Sequence, residues 1–171
     1  MNAKRILCLV VLALMPMCFA FSQKRAQAKA DLQTAAFIYE IEQEDIAASI
    51  GDVNLRVYSY SKKPIIAEEQ ARKNAVHTCI FKGVPANKDV PGSQMRPLMT
   101  DGAQAQHSEF FTEFFKDGGE YARFVTKGHG FPSSVKHNKE YRVGVPVTVH
   151  YSELRKYLES KGMIRGLSTG F

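Results

Sequence analysis

The 171 residues hold no His-Glu-x-x-His run and no glycine-rich phosphate loop. That removes the zinc-protease and nucleotide-cradle chemistries that such short motifs carry. Cysteine is scarce, with Cys8, Cys18 and Cys79 the whole supply. The first two fall in an apolar leader, so a chain cut after Ala20 is expected to keep Cys79 alone and to hold no internal disulfide. A single cysteine on an alanine-rich ridge reads as a small buried hydrophobe rather than a nucleophile. The positive charge is also thin. Lys+Arg 23 against Asp+Glu 17 gives +6, and removal of Lys4 and Arg5 leaves 21 − 17 = +4. These basic residues are scattered along the chain, whereas a nucleic-acid binder gathers them into one patch beside stacking aromatics. No nucleic-acid partner is expected.

What is present at the front is a leader. Lys4 and Arg5 form a positive head, Ile6 to Leu14 an apolar run, and Cys18-Phe19-Ala20 a small-residue site. This is the layout of a secretory signal peptide, and its apolar run is too short for a permanent span. A second possible cut follows Ala26-Gln27-Ala28, with Lys24 and Arg25 close by. Two alternatives stay open, an uncleaved N-terminal anchor and a lipoprotein cysteine at Cys18. Against lipidation, Met15-Pro16-Met17 places a bulky methionine where that processing takes a small residue. The expected layout is a signal peptide at 1–20, a polar lead-in at 21–33 and one domain at 34–171. The mature protein is expected to be exported, in the periplasm or outside the cell, with no integral span.

The middle of the chain is the most legible. Leu55, Val57 and Ser59 alternate with Arg56, Tyr58 and Tyr60, the period of a half-buried strand. Pro64 suits a first helical position, and from Ile65 to about 80 the period becomes helical, with Ala67, Ala71, Ala75 and Cys79 four apart. Residues 34–43 read as a preceding strand, with Phe37, Tyr39 and Ile41 on one face. The rival reading is a helix over 28–50. Gly51-Asp52 supplies a turn, so the two strands form an antiparallel hairpin.

Lys82 to Gln106 is a long loop rich in glycine and proline, a candidate recognition segment or a flexible one. Phe110, Phe111, Phe114 and Phe115 fall on one broad helical stripe and read as core, with a ligand groove as the alternative. Glu120 to Lys127 alternates as a strand, and Gly128 to Pro132 is loop. Tyr141, Val143, Val145, Val147 and Val149 line one face of the clearest strand, whose Pro146 implies an edge or a bulge. Ser152 is the expected N-cap of a last helix that Gly162 ends. Ile164, Leu167 and Phe171 are expected to pack back on the domain.

The order strand, strand, helix, helix, strand, strand, helix predicts an α+β fold. Its antiparallel sheet has about four strands, with two to three helices packed on one face. The stretches RVYSYSKKP, EQARKNAVHTCIFKG, FFKDGGEYARFVT and ELRKYLESKGMIRGLSTGF resemble a family of small exported proteins of Bacteroidetes-type bacteria, over residues 37–171. The likeness brings no activity, cofactor or catalytic residue with it. In element order alone the chain is also similar to domains of small envelope and flagellar-assembly lipoproteins.

Chemistry is sparse. His77 and Cys79 are two apart on a helix and point to different sides, and His129 and His137 flank a loop. Glu40 and Glu42, with Glu44 and Asp45 following, read as solvated surface. The expectation is therefore a non-enzymatic binding or structural module without cofactor or metal, meeting an envelope protein or glycan. The other class is a small enzyme or metal-binding protein whose site assembles from sequence-distant residues. The candidate partner surface is Arg56, Tyr58 and Tyr60 on the outer sheet face, joined by Met95, Arg96 and Met99 from the long loop.

Overall fold

The computed structural model describes residues 38–44, 50–61, 64–100, 102–137 and 140–166. The leader, the lead-in, Phe37, Asp45, Leu167 and Phe171 lie outside them. Five antiparallel strands form one sheet: β1 (Glu40–Gln43), β2 (Val53–Ser61), β3 (Val125–Lys127), β4 (Ser133–His137) and β5 (Glu140–Val149). β1 pairs with β2 and β2 with β5, while β3 and β4 lie end to end along the far edge of β5. The sheet is thus four positions wide. The helices are α1 (Pro64–His77), continued by a π-helical turn at Thr78–Lys82, α2 (Ala103–Gln106), α3 (Ser108–Phe114) and α4 (Tyr151–Ser160). Among the described residues no helix is long and apolar enough to cross a membrane.

Alternation settles the inner face. Val53, Leu55, Val57, Val143, Val145, Val147 and Val149 are all buried, and α1 packs over β2 and β5. From Gln70 to Ile80, α1 is buried nearly all round, polar residues included, because an aromatic layer covers the side away from the sheet. Lys73, buried, reaches Asp117 at 2.6 Å, and the Tyr121 hydroxyl donates to Glu69. The phenylalanine stripe is core. Phe111 and Phe114 are buried, Phe110 and Phe115 half-buried, and their rings pack with Phe81, Tyr121, Phe124 and Tyr157.

Four expectations need correction. Glu120–Phe124 is a 3-10 helix rather than a strand, and only Val125–Lys127 extends. Its three-residue turn puts Tyr121 and Phe124 inward together and leaves Arg123 in solvent. β4 carries no apolar alternation, because Ser133, Ser134, Val135 and Lys136 are all exposed, and it is a strand where no element was expected. Ser152 is inside α4, which His150 precedes, and its N–H donates to the Gly51 carbonyl.

Pro146 lies in the central strand, neither at an edge nor in a bulge of β5. Its carbonyl accepts from Gly128 at 3.0 Å, so its nitrogen faces the same side, where residues 128–132 interrupt the edge between β3 and β4. Toward β2 it sits opposite Arg56 in a pair that exchanges no backbone bonds, so no ladder bond to β2 is lost.

Candidate functional site

The outer sheet face is an ordered lattice. Glu40 and Glu42 of β1 and Glu44 just beyond it stand beside Tyr60, Tyr58 and Arg56 of β2. Arg56 donates to Glu44 at 2.6 Å, Tyr58 to Glu42 at 2.9 Å, and Tyr60 and Arg142 to Glu40 at 3.3 and 2.5 Å. The Arg142 bond holds the Glu40 carboxyl below its ordinary range. The Arg142 guanidinium lies 3.7 Å from the centre of the Tyr58 ring, while the ring itself rests on Gly144, where a Cβ would come within 2.6 Å of it. Burial, then the Glu42 carboxylate, raise the Tyr58 hydroxyl. These tyrosines and arginines are half-buried and mutually tied, a stiff floor rather than free recognition groups.

The loop residues sit elsewhere. The N–H groups of Leu98 and Met99 donate to the carbonyls of Cys79 and Ile80 in the π-helical turn, on the layer that covers the inner face. Met99 is buried in the core, Met95 is half-buried against it, and only Arg96 is exposed. The structure does not join these three residues to Arg56, Tyr58 and Tyr60.

A different part of that loop reaches the sheet. Asn87 donates its side-chain amide to the carbonyls of Gln43 and Glu44 at 3.1 and 2.9 Å, and its backbone N–H donates to Gln43 Oε1 at 3.1 Å. Residues 85–89 are thereby fastened across the end of β1. On the opposite side, Gly128 lies against the β5 backbone, and residues 128–132 fold over the outer face until Arg56 Nη1 donates to the Phe131 carbonyl at 3.4 Å. Between the two loops lies a groove of about 730 Å³, lined by Glu42, Glu44, Asn54, Lys88, Asp89 and His129 among others. Phe131 stands on the wall-forming loop and is 90% exposed.

Two polar clusters lie apart from the groove. In the first, the Thr78 hydroxyl donates to the Tyr39 oxygen at 3.2 Å and Tyr39 donates to His77 Nδ1 at 2.7 Å. His77 Nε2 stands 3.3 Å from the Gln104 carbonyl oxygen. Burial lowers His77 to about 4 and drives the Tyr39 hydroxyl upward, which keeps tyrosine the donor and imidazole the acceptor. The cluster ties the residue before β1 to the end of α1 and to α2. In the second, Asp52 contacts His150 Nδ1 at 3.0 Å and Thr126 Oγ1 lies 3.4 Å from His150 Nε2. The order is that of an acid–base–nucleophile relay, but the threonine contact is long and the groups bind the ends of β2, β5 and β3 together. Burial pushes the Cys79 thiol up to about 12, so it carries no thiolate chemistry. Among the described residues no three His, Cys, Asp or Glu side chains converge to hold a metal.

The chain matches no family model, no curated protein and no solved structure. Phe131, Lys88 and Asp89 escape a reading of the sequence, since each lies in a stretch identifiable only as loop. The glycines flanking His129 in Gly128-His129-Gly130-Phe131 are the available signal of a displayed aromatic. The run Gly166-Leu-Ser-Thr-Gly170 escapes it too, although it spells a nucleophile elbow. That run follows the helix α4 rather than a strand, and Ser168 lies outside the described residues.

Proposed function

We propose that the protein is an exported, non-enzymatic binding module that engages an envelope protein or glycan through the groove and the Phe131 loop. The supporting observation is the display of Phe131 in solvent beside a cleft of mixed polar and apolar lining, on a loop that Arg56 contacts from below. A large exposed ring held on a fixed backbone loses little freedom on binding and suits an anchor. Glu42, Glu44 and Asn54 line the groove from the sheet, with the Glu44 and Glu42 carboxylates held by Arg56 and Tyr58 beside it, while Lys88, Asp89 and His129 present polar groups from the loops and Tyr60 lies outside the groove. The signal-peptide layout of residues 1–20 supports the exported destination, and the resemblance to small exported bacterial proteins agrees with it.

Capture from an envelope extract, divided into protein and glycan fractions, tests the reading. Phe131→Ala with Lys88→Glu is expected to abolish capture and leave the thermal midpoint within about 2 °C, as exposed substitutions do. Unchanged capture overturns the assignment of the site. N-terminal sequencing of protein from the native host tests export. The expected start is near Phe21, and an intact Met1 on cytoplasmic protein overturns it, while a lipid-modified Cys18 replaces cleavage with anchoring.

A further inference from the structure

The two edges of the sheet are finished differently. At β1 the outward carbonyl of Gln43 is already occupied by Asn87, and the loop lies across that end. β3 is only three residues long, with Val125 buried at 3% and Thr126 and Lys127 exposed. β4 offers the longer open edge: Ser133, Ser134, Val135 and Lys136 are all exposed, and Val135 is a large hydrophobe 64% in solvent. Among the described residues β4 pairs with β5 alone.

The bonding phase of that open edge follows from the ladder. Glu44 donates to Asn54, so even-numbered residues of β2 bond β1 and odd-numbered ones bond β5. β5 keeps an unbroken register with β2, hence its even-numbered residues turn toward β3 and β4, as His150 and Pro146 do in bonding Phe124 and Gly128. Gly144 and Arg142 therefore bond Ser133 and Val135. Ser134 and Lys136 are left with N–H and C=O pointing away from the sheet, placed symmetrically about Val135.

The geometry points to a two-fold dimer in which β4 of one copy pairs antiparallel with β4 of a second, centred on Val135. In that register Ser134 exchanges both backbone bonds with Lys136 of the other copy, and Val135 meets Val135 across a pair without backbone bonds, where side chains approach most closely. Lysine faces serine rather than lysine, so the charge that would guard an isolated edge does not oppose this pairing. The isologous arrangement closes on itself and leaves no free edge to grow. It also continues the outer face across both copies, with a groove on each. A five-residue strand edge buries less than the roughly 1,200 Å² of a stable interface, so the dimer is reversible and concentration-dependent.

Sedimentation equilibrium of the purified full chain over a hundredfold concentration range is the test. The wild type is expected to pass from one-chain to two-chain mass. Ser134→Pro removes only an outward N–H, since that residue makes no ladder bond to β5, and Val135→Lys places like charges on the axis. Each is expected to hold the one-chain mass throughout, with far-UV circular dichroism unchanged. A wild type that stays at one-chain mass overturns the proposal, and so does a dimer that both variants retain.

Discussion

Phe114→Ala is expected to lower the free energy of unfolding by about 3–5 kcal/mol. The ring is 2% exposed and has five aromatic neighbours: Phe110, Phe111, Phe115, Phe124 and Tyr157, at centroid distances from 4.9 to 6.2 Å. These belong to α3 and the residue after it, the 3-10 turn and α4, so no single element can slide in to fill the space. The cost therefore combines lost transfer energy with a cavity that cannot collapse. Against a total stability of about 5–15 kcal/mol it is a large share. Phe110→Ala, at a half-buried ring on the same helix, should cost clearly less. Urea denaturation of both variants is the measurement, and a loss below about 1 kcal/mol for Phe114→Ala would show that the stripe is not what joins these elements.

What was legible in the sequence was whatever depends on local periodicity. The alternation of Leu55, Val57 and Ser59, and of Val143 through Val149, specified which faces of β2 and β5 turn toward the helices. The helical spacing of four phenylalanines identified α3 and its buried side. β4 was not legible, because a strand exposed on both faces has no reason to alternate. The 3-10 helix was not legible for a related reason. Tyr121, Arg123 and Val125 do alternate, but the spacing of three between Tyr121 and Phe124 is the one the core uses.

The candidate surface was half legible. Arg56, Tyr58 and Tyr60 do occupy the outer face, since strand geometry alone places them there. Met99 does not accompany them. Its loop is drawn to the helical layer by carbonyls that the π-helical turn leaves open at Cys79 and Ile80, and no residue in the loop announces that attachment. The groove was illegible because its walls are residues 85–89 and 128–132, which Asn87 and Arg56 bring to one place. Both fastenings join a polar side chain to a backbone carbonyl, a contact without a sequence pattern.

Acidification should expose the buried histidine as a stability switch. His77 is 2% exposed on the far side of α1, its Nδ1 accepts from Tyr39, and the rings of Phe81 and Phe115 lie 4.8 and 5.8 Å away. Burial lowers its pKa from 6.5 to about 4, and the nearby Lys82 charge adds to the effect, while the bond to Gln104 opposes it. The unfolded chain takes up this proton as pH falls through 6.5, whereas the folded chain does not until about 4. Between those values acid favours the unfolded state, so stability present above pH 6.5 is lost on the way down. Each tenfold difference in proton affinity between the two states is worth about 1.36 kcal/mol, and from 6.5 to pH 5 the loss is about 2 kcal/mol. The Glu40 carboxyl, held below its ordinary 4.5, acts in the same direction but mainly below that pH, under the pH 5 end of the comparison. A His77→Gln variant keeps an acceptor for Tyr39 and has nothing to protonate. Its stability should change about 2 kcal/mol less than that of the wild type between pH 7 and pH 5, in parallel urea titrations. Equal changes in the two proteins would show that His77 is charged as readily in the folded chain as in the unfolded one, and that the Thr78–Tyr39–His77–Gln104 chain is open to solvent.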